Sequence, residues 1–239
     1  RLRSAIAQRG LLAVGRACTS WLLAFAAGRL PGASRRAGRF AFAGGDYELL
    51  AHPYHYTWLN ERAVEVPIVG RIVDAEPGRV LEVGNVLSHY RPTRHEIIDK
   101  YERAPGVRNV DVLDLDPAEP YDLIVSISTL EHVGWDEVPR DPRRALLAVQ
   151  RLLALLTPGG ELVVSVPVGY NPELDRAIRD GELPFEHVSA LLREGRRWRQ
   201  VGPEEAWHVP YDRLLYRAGA VLICFADRTP AATPTAQDV

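Results

Sequence analysis

RVLEVGNVLSHY, residues 79–90, is the stretch from which the rest of the chain can be read. A short apolar run of β-branched character is closed by Gly84, the residue type that frees the backbone to turn. Working outward, the same grammar repeats. HEIID (95–99) and VRNVDVL (107–113) read as further strands. YDLIVSIS (121–128) is a nearly continuous apolar run, as in strands buried on both faces. Residues 141–156 carry Leu146, Val149, Leu152, Leu153 and Leu156 at helical spacing, and Thr157-Pro158-Gly159-Gly160 ends that helix. ELVVSVPV (161–168), WRQV (198–201) and AVLICFA (220–226) supply three more strands. Alternation of this kind predicts a Rossmann-like α/β fold: a mostly parallel seven-stranded sheet with helices on both faces, plus an N-terminal helical extension. Ligands in such sheets bind at the carboxyl ends of the strands. That places 82–90, Asp99, 111–112, 126–132 and 167–171 on one rim.

Composition narrows the function classes. A chain of 239 residues suits one α/β domain with an extension. Two cysteines, Cys18 and Cys224, exclude a disulfide framework and a Cys-rich zinc site. The net charge of −2 hides an asymmetry: residues 1–45 hold eight Arg and no acid, leaving 21 basic against 31 acidic side chains in the body. An acidic body excludes nucleic acid as the expected partner. The absence of Met, even at position 1, points to a chain that starts inside a longer gene product.

The expected organisation is an N-terminal helix and linker (1–46), a body (47–228) and a flexible tail (229–239). Within the body, 47–77 forms a cap helix and 167–197 a substrate-side insertion. Residues 10–27 are almost wholly apolar around Arg16. Three readings of that segment stay open: a helix packed on the body or pairing in a homodimer, a helix lying in a membrane interface, and a secretory signal. A full transmembrane span is not expected, because Arg16 sits centrally.

RVLEVGNVLSHY, with Asp99 following Glu82 by 17 residues, resembles the first motif and second-strand acid of class I S-adenosylmethionine-dependent methyltransferases. YDLIVSISTLEHV is similar to that family's fourth strand with its Leu-Glu-His ending, and LLTPGGELVVSVP to its turn into strand five. The resemblance implies S-adenosylmethionine as cofactor and a cytoplasmic enzyme. It implies that Glu82 faces the methionine end, and that Gly84 and Asn85 lie along the ligand. Asp99 would take the ribose hydroxyls, a charge-assisted pairing. Asp111 and Val112 would meet the adenine, and Ser126 and Ser128 would line the sulfonium side. Where the family carries two more glycines, this chain has Val86 and Ser88. That loop lacks the G-x-G-x-x-G of a dinucleotide site, which counts against a nicotinamide enzyme.

Methyl transfer to a hydroxyl benefits from a general base. His132, beside Glu131 at the end of strand four, and His89, in the loop after strand one, are the candidate catalytic groups. Tyr54, Trp58, Trp135, Tyr170 and Asn171 are expected to wall an acceptor pocket suited to a small molecule or glycan. Arg62 and Glu65 on the preceding helix could touch the pocket, although charges on a helix usually form a solvated face. No compact ligand spacing is present, so no metal is expected. The alternative is a binding or scaffold protein that keeps the fold with an altered cofactor loop.

Overall fold

The computed structural model describes residues 10–29 and 38–228; the expected tail, 229–239, lies outside them. The chain opens with helix α1 (Leu11–Gly28) and a hairpin of β1 (Arg39–Phe42) and β2 (Gly45–Glu48). Strand β3 (Val80–Val83) follows helix α2 (Arg62–Ala75), and β4 (Glu96–Ile98) and β5 (Val107–Arg108) come next. Then come β6 (Tyr121–Ile127), α3 (Arg143–Ala154), β7 (Leu156–Pro167) and α4 (Pro172–Arg179). The chain closes with β8 (His187–Glu194), β9 (Arg197–Val201), the short α5 (Pro203–Ala206) and β10 (Ala220–Asp227).

Eight strands form one sheet in the order β5-β4-β3-β6-β7-β10-β8-β9. The five from β5 to β7 run parallel, and β10 is antiparallel to both of its neighbours. The fold class is the expected one, with one strand more than the seven predicted. The extra strand is β8, which falls in the stretch 167–197 read as an insertion. That stretch instead supplies α4 and an interior strand of the sheet. Its burial alternates only weakly along its length, so periodicity gave little sign of it. The stretch read as a linker up to residue 46 likewise contains β1, whose Phe40 and Phe42 are buried.

Side-chain alternation divides the core into two layers. On β6 and β7, Ile124, Leu162, Val164 and Val166 face α3 and α4, meeting Ala148, Leu152 and Ala177. Leu123, Val125, Ile127 and Val163 face the other way, onto Val64, Ile68 and Val69 of α2 and Phe42 of the hairpin. Over β3 the covering is thinner. The crossover to β4 is one 3-10 turn, Leu87–His89, in place of a full helix.

Two backbone features fix the strand ends. Gly84 has φ +88°, and a Cβ there would come within 2.8 Å of Thr129 Cγ2 and closer to its hydroxyl. The turn after β7 is clipped by Asp175, whose Oδ2 accepts the Gly169 N–H at 2.7 Å. The other oxygen of Asp175 is buried without a partner, and burial pushes this carboxyl up to about 6. A carboxyl raised in the folded state favours folding while protonated, and that contribution is lost as pH rises through about 6. The Asp175→Asn variant keeps the acceptor without the charge. Its stability relative to wild type should therefore rise by about 2–3 kcal/mol between pH 4 and pH 8, read from urea midpoints at the two pH values.

Candidate active site

At the carboxyl ends of β3, β4 and β6 lies a cavity of about 500 Å³, within the range of small-molecule sites. Val83, Ile98, Val110, Val112 and Val133 give it apolar walls, and Asp99, Asp111, Arg62 and His132 are among its polar groups. Asp99 Oδ1 accepts the N–H groups of Tyr101 (2.8 Å) and Glu102 (2.7 Å), which shapes the turn after β4. Among the described residues its Oδ2 meets only the Asn85 N–H, at 3.4 Å, and keeps acceptor capacity on the cavity side.

Asp111 Oδ1 caps the 3-10 turn Val112–Asp114 through the Leu113 N–H, at 3.0 Å. Its Oδ2 lies between Lys100 Nζ (2.9 Å) and Arg144 Nη2 (2.7 Å). Burial works to raise this carboxyl, but the Lys100 and Leu113 hydrogen bonds and the Arg144 charge outweigh it and hold it low. Lys100 also reaches Glu137 at 2.8 Å, bridging the loop after β4 to the loop after β6. Hydrogen bonding to Glu137, foremost, holds the ammonium above its usual range.

On the opposite wall, His132 Nδ1 is 2.5 Å from Asp136 Oδ2. Tyr170 Oη donates to the same oxygen at 2.6 Å. Burial tends to raise the Asp136 carboxyl, yet the bonds from His132 and Tyr170 pull it below the usual range. An ionised carboxylate only accepts, so Nδ1 carries a proton, and in the neutral imidazole Nε2 presents the lone pair. The Tyr170 phenol is pushed far above its usual range, by burial first and by Asp136 next.

Behind this wall lies a buried charge cluster. Arg62, 17% exposed, donates to Glu65 (3.0 Å), to the Ile127 carbonyl (2.9 Å) and to the Ser128 carbonyl (3.4 Å). Glu65 also accepts from Ser165 at 2.9 Å and from Ser128. Glu61 accepts the Ala218 N–H at 2.8 Å. Glu131 is buried with Oε2 unpartnered, and Oε1 stands 3.6 Å from His132 Nε2. Burial pushes its carboxyl well above the ordinary range.

The rim is aromatic. Tyr54 stacks on His89 at 4.2 Å, and its hydroxyl meets His89 Nε2 at 3.2 Å. Glu102 lies 3.0 Å from the same nitrogen. His55 and Tyr56, beside Tyr54, adopt left-handed φ values of 52° and 47°, a conformation L residues reach only at some cost.

The sequence profile described as a methyltransferase domain matches residues 55–212, about two thirds of the chain. The chain belongs to the methyltransferase domain family. The class I S-adenosylmethionine-dependent resemblance of its motifs, and the cofactor expected from them, agree with that membership. No curated protein matches this methyltransferase. Among solved structures it is similar to the N-methyltransferase NodS from Bradyrhizobium japonicum, at 15% identity over 68% of this chain and 93% of that one, TM-score 0.43. It is also similar to a possible histamine N-methyltransferase from Thermotoga maritima (15%, 67% and 87%, TM-score 0.41). A third is CalS10, an amino pentose methyltransferase from Micromonospora echinaspora (17%, 68% and 89%, TM-score 0.34).

Of the residues expected to serve the methyltransferase site, Gly84, Asn85, Asp99, Asp111, Val112, Tyr54, His89 and His132 line the cavity. Several others do not. Glu82 is wholly buried and holds the loop: it accepts the Val86 (2.9 Å) and Leu87 (2.7 Å) N–H groups and pairs with His95 (2.7 Å). Ser126 turns to the Val83 carbonyl at 3.3 Å, and Ser128 to Glu65. Asn171 caps α4 through the Glu173 and Leu174 N–H groups, both at 3.2 Å. Trp58 and Trp135 lie off the cavity; Trp135 carries the Arg140 guanidinium at 4.3 Å. Tyr170 is 4% exposed and acts on Asp136. Glu131 sits behind the wall. Arg62, which could touch the pocket, lines it, whereas Glu65, its partner, is wholly buried and not on a solvated face. Lys100, Thr129 and Glu137 also line the cavity and were not among the expected site residues.

Replacing Arg62 by Met leaves three buried carboxyl groups with no cation between them. Loss of one partner from a buried charge network costs about 3–5 kcal/mol, a drop that guanidinium unfolding will resolve. The loss should shrink in Arg62→Met/Glu65→Gln.

Proposed function

We propose that the protein binds S-adenosylmethionine in this cavity and methylates a hydroxyl of a small polar acceptor, a saccharide or secondary metabolite. The donor set fits the cofactor. Asp99 offers an acceptor oxygen for ribose hydroxyls, Asp111 a carboxylate for an amino group, and Ile98, Val110 and Val112 apolar surface for a flat ring. The loop after Gly84 supports the choice further, since its Val86 and Leu87 N–H groups are spent on Glu82 and leave no cradle for a pyrophosphate. When bound, S-adenosylmethionine supplies an electrophilic methyl carbon.

The chain's own residues then have two tasks: to orient the acceptor and to remove its proton. The observation that carries the reading is the Asp136–His132 pair on the cavity wall. Asp136 fixes the tautomer, so Nε2 accepts the acceptor's proton while the carboxylate steadies the imidazolium that forms. Tyr170 holds Asp136 in place. Burial raises the Glu131 carboxyl well above its ordinary range, which weakens its competition for the proton at Nε2. His89 belongs to the rim contacts with Tyr54 and Glu102, so we assign it to acceptor orientation.

His132→Ala should lower turnover by about 10²–10⁴-fold while S-adenosylmethionine affinity by calorimetry changes less than turnover does. Equal turnover would remove His132 as base. Asp99→Ala should weaken S-adenosylmethionine and S-adenosylhomocysteine by about 1.5–3 kcal/mol, and NAD should not bind either form. Failure of the wild type to bind S-adenosylmethionine would overturn the reading in favour of a scaffold.

A further inference from the structure

Helix α1 has two unlike sides. One is docked: Val14 is buried, Trp21 stacks on Phe25 at 5.2 Å, and Phe25 meets Tyr56 edge-on at 4.8 Å. The other is exposed and mostly apolar, with Thr19 among its leucines. Leu11, Leu12, Leu22 and Leu23 are 69%, 83%, 58% and 67% exposed. Eleven residues make three turns, so Leu11 aligns with Leu22 and Leu12 with Leu23 in a stripe roughly 18 Å long. Apolar surface of this kind is spent on a partner, not left in water.

Charge decides which partner. The first 45 residues hold eight Arg and no acid, while the rest of the chain is acidic. Among them, Arg29 directly follows α1, with its guanidinium 5.2 Å from the Phe25 ring. An apolar stripe within a cationic segment fits the headgroup region of an anionic lipid surface. Pairing α1 on α1 of a second copy would bring two arms of like charge together. No described helix is long and apolar enough to cross a membrane, so α1 would lie in the plane.

The docked side gives this arm a functional address. Tyr56 belongs to the 3-10 segment Tyr54–Leu59, whose Tyr54 and His55 line the cavity. We propose that α1 is a membrane-surface anchor that lies among anionic headgroups and holds the cavity mouth beside them. The acceptor is then the polar head of a membrane-borne amphiphile; this last step rests on the methyltransferase reading, whereas the anchor does not.

Sedimentation of the full chain with vesicles tests it, using phosphatidylcholine alone and an equal mixture of phosphatidylcholine and phosphatidylglycerol. The expected result is binding to the mixed vesicles at least about tenfold tighter than to the neutral ones, weakening with salt. Leu12→Glu/Leu23→Glu should abolish it while the melting temperature and S-adenosylmethionine calorimetry stay as in wild type. Leu11→Ser/Leu22→Ser should weaken it in the same sense should the first pair fail to fold. Amide exchange should slow on vesicle binding in 11–28 and 54–59 and not in β9. Absence of binding, binding indifferent to both variants, or a stable dimer dissolved by them in ultracentrifugation would overturn the anchor. Loss of S-adenosylmethionine binding with vesicle binding intact would instead strike the enzymatic reading.

Discussion

An arginine held out of water has to be answered by acids and carbonyls, and the site is organised around that demand. Arg62 begins α2 and reaches across to the last carbonyls of β6, while Glu65, one turn on, gathers the Ser128 and Ser165 hydroxyls. The cap helix is thereby tied to the end of the central strand by groups that cannot be solvated in place. Buried ion pairs of this kind contribute little net stability, because desolvation offsets most of the attraction. What they contribute is position. The 3-10 turn that carries Glu131 and His132, with Thr129 at its start, begins from the segment that Arg62 holds.

The same economy explains why Glu131 and His132, adjacent in sequence, do different work. A single 3-10 turn sends one inward and the other to the cavity. Burial raises the inward carboxyl well above its ordinary range; the outward imidazole gains a carboxylate partner four residues on. Environment, and not residue type, divides the roles.

The framework was legible because strand ends are marked by composition. Gly84 and Asp99 close apolar runs and reach the cavity; Asp111 reaches it too, but it lies beyond β5 at the start of a 3-10 turn and not inside the expected strand 107–113. Helix α3 was equally readable from its apolar spacing. Short polar side chains were where the reading failed. Glu82, Ser126, Ser128 and Asn171 all sit near the rim, and each is captured by a nearby backbone group or buried side chain. Side chains of this size choose between ligand and local backbone by ångström-scale placement, which strand order does not specify. Arg62 was left open between the pocket and a solvated face, because charge on a helix is usually solvated; its tertiary contacts with Glu65 and the end of β6 set it on the cavity. Strand β8 was hidden by its mixed burial.

The close approach of Gly84 to Thr129 has an evolutionary side. Two loops from neighbouring strands share one small volume, filled by the threonine side chain and left open by the glycine. Drift at either position is constrained by the other. A larger residue at 84 demands both a different backbone path and a smaller neighbour, so single substitutions lead through a disfavoured intermediate. Lineages that reshape the floor of this cavity would have to change both loops in step, while the outer rim, built from longer side chains, stays free to vary with the acceptor.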